Sequence, residues 1–112
     1  MAAFDHLTLA IRNYHNAGDT TTIRVPLAVL AAVFDRLGRY EPAATIAGFA
    51  VGAVTERVAE FTAAIAHLRD VLGNATYESL ARKGETMTTA QIAAYVYDQI
   101  DQARTELKAV WR

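Results

Sequence analysis

The segment LAVLAAVFDRLGRYEPAATIAGFA, Leu27 to Ala50, constrains this chain more than any other stretch. Leu27, Leu30, Ala31 and Phe34 recur at steps of three and four residues, the spacing of one helix face. Gly38 stops that helix, and Tyr40-Glu41-Pro42 opens another, with Pro42 in a first-turn position where its missing N–H is harmless. The second helix sets small residues, Ala43, Ala47 and Ala50, along one side. Large side chains facing small ones let two helices approach closely and fill the space between them.

The rest of the chain has the same helical period and no strand alternation. Phe4, Leu7, Ile11 and Tyr14 form one stripe on a first helix, which Gly18 is placed to end in a left-handed conformation. Asp19 or Thr20 can cap the next start. Ile23, Leu27, Leu30, Phe34 and Leu37 make the second stripe. Pro26 must sit in or near the first turn of that helix, because an interior proline costs about 3 kcal/mol. Gly48 and Gly52 are read as loosening the chain, and any joint should lie there. Val58, Phe61, Ile65, Leu68 and Leu72 define a fourth helix ended by Gly73. Asn74 can cap a short fifth helix carrying Tyr77 and Leu80, closed by Gly84. Thr88 followed by Gln91 is a capping box, opening a sixth helix with Ile92, Val96, Ile100, Ala103 and Leu107 on one face. The expected fold class is all-α: about six helices in antiparallel hairpins, in one domain spanning residues 1–112.

Charge excludes some functions. The chain has 11 basic and 12 acidic residues, net -1, so the basic footprint of a general nucleic-acid binder is missing. It has no cysteine, which removes disulfides and thiolate metal sites. No apolar run reaches the ~20 residues of a membrane helix. The first residues lack the basic stretch of an export signal, and the expected location is cytoplasmic.

No residues assemble into a catalytic pattern. His6 and His15 are nine apart and do not have the i, i+4 spacing of a helical metal pair; together with His67 they read as exposed or capping side chains. Asp98 and Asp101 read as a solvated helix face. Arg82-Lys83 at a helix C-terminus compensates the helix dipole. Ser79 has no nucleophile elbow around it. There is no phosphate-binding glycine loop. No catalytic, cofactor or metal residue is therefore assigned. The residues that read as interaction anchors are Phe4, Leu7, Ile11 and Tyr14, together with Tyr97 and Trp111, since aromatic side chains are favoured at interfaces.

The Leu27–Ala50 pattern resembles a tetratricopeptide-type repeat (TPR), with Ala47 in place of the usual aromatic and Thr55 where a repeat-ending proline is common. Ala3, Leu7 and Ala10 resemble the second helix of a preceding repeat. Further resemblance lies in LGNATYESLARKGETMTTAQIAAYV, Leu72 to Val96, in RNYHNAGD, Arg12 to Asp19, and in FDRLGRYEPAATIAG, Phe34 to Gly48. In that order they look like the TPR-like C-terminal tail of bacterial, actinobacterial-type regulators. Those proteins join a nucleotide-cyclase or DNA-binding module to a predicted ATPase. The resemblance implies a TPR-like α-solenoid that acts without catalysis as a protein-interaction or scaffold module in signalling or transcriptional regulation, and a chain that is a tail or fragment of a longer protein. Its partners would be neighbouring domains. The alternative is a free-standing small protein that buries the Phe4–Tyr14 stripe in a homodimer.

Overall fold

The computed structural model describes the backbone of residues 2–52, 55 and 58–110, and the side chains of residues 4–52, 55 and 58–107. Six helices and no strand make up the described residues: α1 Ala2–Asn16, α2 Arg24–Arg36, α3 Tyr40–Ala50, α4 Ala59–Leu72, α5 Asn74–Glu85 and α6 Thr89–Val110. The all-α expectation holds, and each predicted apolar stripe falls on a helix, except that Ile23, Leu37 and Val58 take cap positions and Leu37 is exposed.

Helix ends follow local chemistry. Gly18 (φ +73°) and Gly38 (φ +78°) adopt the left-handed conformation. At the first, the Gly18 N–H donates to the His15 carbonyl and the Asp19 N–H to that of Tyr14; at the second, Gly38 donates to Asp35 and Arg39 to Phe34. This paired pattern satisfies carbonyls that a helix end otherwise leaves open. Pro26 and Pro42 both fall in first turns, as expected. The Thr88 capping box forms in both directions, Gln91 N–H to Thr88 Oγ1 at 3.1 Å and Thr88 N–H to Gln91 Oε1 at 2.9 Å.

Two caps differ from the sequence reading. Asp19 accepts from the N–H groups of Thr21 and Thr22 at 3.1 and 2.8 Å. It therefore braces the turn before α2, whose own N-cap is Ile23 without a side-chain bond. Asn74 is already inside α5, and Gly73 takes the cap position.

The centre of the fold is α3, which packs on α2, α4, α5 and α6, most extensively on α5. Ala43, Ala44, Thr45, Ile46, Ala47, Phe49 and Ala50 are all buried. Gly48 does not loosen the chain as expected: α3 runs unbroken through it and ends at Ala50, and the chain leaves the helix at Val51 and Gly52. Gly48 is there for close approach: a Cβ on it would lie 1.9 Å from the carbonyl oxygen of Ala81 in α5. Gly84 has the reciprocal role. A Cβ there would lie 1.8 Å from the Thr45 carbonyl oxygen, and α5 continues past it to Glu85. The two backbones touch, which only glycine permits.

After α3 comes a turn that includes Gly52 and Thr55. Thr55, wholly buried, organises this turn. Its hydroxyl donates to the Ala50 carbonyl at 2.7 Å and accepts from the Gly52 N–H at 3.1 Å. A side chain thus closes the turn where a proline would otherwise stiffen it.

Helix α2 is covered on nearly all sides: Ala28, Ala32 and Asp35, off the predicted stripe, are buried beside it. Helix α1 packs on α2 and α6. At α6 the contact includes Arg104 donating to Asp5 of α1 at 2.5 Å.

Candidate functional site

A cleft of about 410 Å³ with a charged lining lies beside the α3–α5 crossing. Gly48 and Ala81 contribute to its lining at the point of closest helix approach. Arg24 enters from the first turn of α2. Its guanidinium lies 4.8 Å from the centre of the Phe49 ring and donates to the Phe49 carbonyl, with the Val51 carbonyl 3.5 Å away. Carbonyls at the end of α3 carry partial negative charge, so a cation is favoured there.

Arg69, in the last turn of α4, stands 4.5 Å over the Tyr77 ring and donates to Glu78 Oε1 at 2.9 Å. Burial pushes the Tyr77 hydroxyl pKa up; the Arg69 charge opposes this and Glu78 adds to it. Glu85 completes the charged lining. Two guanidiniums therefore face two carboxylates, and the cleft carries no net formal charge. It offers donors and acceptors to a polar neutral segment and no general attraction to a polyanion.

A second polar contact ties α4 to α2. His67 Nδ1 lies 2.7 Å from Asp35 Oδ1, and the His67 ring meets Tyr40 edge-on at 5.9 Å. Asp35 is buried while His67 keeps about half of its side-chain surface exposed (48%). The histidine thus gives a buried carboxylate a hydrogen-bond partner, which such a group requires. Its donor set goes no further: among the described residues no three His, Asp or Glu side chains converge to hold a metal.

The anchors read from the sequence take different places. Phe4 and Ile11 are wholly buried within the chain. Phe4 meets Phe34 of α2 with ring centres 5.8 Å apart. Leu7 and Tyr14 are half-buried against the same core. Tyr97 is also half-buried, with the Arg12 guanidinium 5.7 Å above its ring. Trp111 lies outside the described residues. Asp98 and Asp101 are exposed, as the sequence suggests, and Ser79, Arg82 and Lys83 are exposed as well. Tyr95 is half-buried, and burial raises its hydroxyl pKa against the opposing hydrogen bond of Thr45.

Sequence reasoning did not find the cleft. Arg24, Arg69 and the pair Glu78 and Glu85 come from three helices, and no spacing within one helix links all four. The one usable signal was the pair Gly48 and Gly84, since glycine inside an otherwise helical pattern can mark close backbone approach. No helix of the described residues is long and apolar enough to cross a membrane. No protein-family model, curated protein or solved structure matches the chain.

Proposed function

We propose that this chain is a helical interaction module, a TPR-like scaffold within a bacterial signalling or transcriptional regulator, and that it acts by docking protein rather than by catalysis. The observation that carries this reading is the α2–α3 pair. Leu27, Leu30, Ala31 and Phe34 of α2, and Ala43, Ala47 and Ala50 of α3, are all fully buried. Those positions are the ones that large-to-small packing in a helical repeat requires. The cleft at Arg24, Arg69, Glu78 and Glu85 supports the same reading. Its opposed charges suit the alternating donors and acceptors of a peptide segment, and its guanidiniums rest on aromatic faces that hold them in place.

The test is cross-linking mass spectrometry on the native protein in its own cells, followed by sizing of the cross-linked species. Cross-links from α5 and the cleft rim to another domain or another protein are the expected result. Cross-links confined to this chain, together with turnover of a small molecule by the purified protein, would overturn the proposal. A species of two copies, joined through this chain alone, would replace it with the homodimer.

A further inference from the structure

We propose that the cleft beside the α3–α5 crossing binds a small zwitterion, an amino acid or a molecule of the same chemistry, with its carboxylate on Arg24 and its ammonium on Glu85. The inference starts from which of the four charges are already matched. Arg69 and Glu78 form an ion pair at 2.9 Å. Arg24 and Glu85 enter no ion pair among the described residues. One cation and one anion therefore line the same cleft, each without a charged partner there.

Arg24 is positioned without being neutralised. Its acceptors are backbone carbonyls, that of Phe49 and, at 3.5 Å, that of Val51, and both take their bond from Nη1. A guanidinium carries five N–H donors in a rigid fork. Nε and Nη2 therefore remain to grip a carboxylate through two parallel bonds. The Phe49 ring, 4.8 Å from the guanidinium, holds the fork in place, so little side-chain freedom is lost when a ligand arrives.

Glu85 works against its own helix. It is the last residue of α5, where the helix dipole already gathers negative charge and a carboxylate is locally unfavourable. Arg82 and Lys83 share that turn but do not line the cleft. Local rules are broken most often where a residue serves a site. An ammonium placed here meets both the carboxylate and the negative helix end.

The space between the two charges fits a small molecule. Glu78, Ala81 and Glu85 follow one face of α5, and Gly48 of α3 leaves the wall beside Ala81 without a side chain. The volume of about 410 Å³ falls within the roughly 300–1,000 Å³ of small-molecule sites. A simple anion would be repelled by Glu78 and Glu85, and a simple cation by Arg24 and Arg69. A ligand with one charge of each sign at opposite ends avoids both repulsions. Binding of the zwitterion does not rest on the interaction-module reading.

Backbone-amide NMR titration of the full chain tests this, with glycine, γ-aminobutyrate and ε-aminocaproate as probes of increasing length. The expected result is saturable shifts at Gly48, Phe49 and Ala81 with at least one of the three. Its N-acetyl and amide derivatives, each lacking one charge, should bind about tenfold more weakly or worse. Glu85→Gln should weaken the same amino acid by about tenfold or more; Glu85 is exposed, so this variant keeps the fold. Arg24→Lys, which retains the charge and loses the fork, should weaken it as well. No saturable shift with any probe, equal affinity for the single-charge derivatives, or wild-type affinity in Glu85→Gln would each overturn the proposal. Binding of the capped peptide acetyl-DGGK-amide, with no binding of any free amino acid, would also overturn it and assign the cleft to the docking segment alone.

Discussion

Replacing Gly48 by alanine sets two physical effects of opposite sign against each other. Within a helix, alanine is favoured over glycine by about 1 kcal/mol. Were Gly48 a loose joint, the substitution would stabilise the protein by roughly that amount. The structure reverses the sign. The new Cβ would lie 1.9 Å from the Ala81 carbonyl oxygen, where ordinary contact begins at 3.4 Å. The obstacle is backbone, so no rotamer change relieves it, and α3 and α5 must part by roughly 1.5 Å. Parting them loosens the packing around Phe49 and Tyr77, both now buried. Overpacking of a core costs about 1–3 kcal/mol when side chains can yield. With backbone on one side the upper end applies, and the net loss after the helix gain is about 2 kcal/mol. Urea unfolding followed by circular dichroism at 222 nm measures this directly, and Tm should fall by about 10 °C. Gly84→Ala should behave alike. The double variant should lose less than the sum, because helices parted once need not part again. Gly52→Ala is the control, since its nearest neighbour is Arg24 Cδ at 4.0 Å. Unchanged or raised stability in Gly48→Ala would refute the close crossing of α3 and α5.

Three further outcomes rest on other parts of the fold. Leu30→Asp or Phe34→Asp places an unpaired carboxylate at a wholly buried position and should abolish cooperative unfolding; calorimetry showing a wild-type transition would contradict the core assignment. Thr55→Val keeps the shape but leaves the Gly52 N–H and the Ala50 carbonyl without their partner, at a cost of about 1–3 kcal/mol in denaturant titration. Asp19 has its pKa lowered, first by the Thr22 backbone bond and then by the Thr22 hydroxyl, with burial opposing them and the Thr21 backbone bond adding a lesser lowering. Its contribution is therefore present above the unfolded value and is lost as pH falls through the lowered folded value. Carboxyl NMR titration should find Asp19 below the ordinary aspartate range, and Asp19→Asn should flatten this part of the acid limb of the stability curve.

The helices were legible in the sequence because their causes are local. Period-3.6 stripes, the glycines at 18 and 38, first-turn prolines at 26 and 42, and the Thr88–Gln91 box all act within a few residues, and the structure reproduces each. Gly48 was misread for the same reason. Within its own window it is a helix breaker, and only the Ala81 carbonyl, thirty-three positions away, makes it a contact surface. Asp35 lies off the α2 stripe, and only His67 of α4, outside any local window, gives its carboxylate the partner with which it is buried.

By itself, the sequence determined the number and class of the elements, where most of them stop, and which side chains could form a core. These are properties of short windows, governed by backbone hydrogen bonding and the burial of apolar faces. The tertiary structure decided which faces meet. It seated α1 against α2 and α6, so that Phe4 and Ile11 are buried within this chain. It brought Arg24, Arg69, Glu78 and Glu85 to one cleft. Those outcomes depend on the approach distance of two helix backbones at Gly48 and Gly84 and on charges carried by separate helices, terms that exist only once the helices are packed.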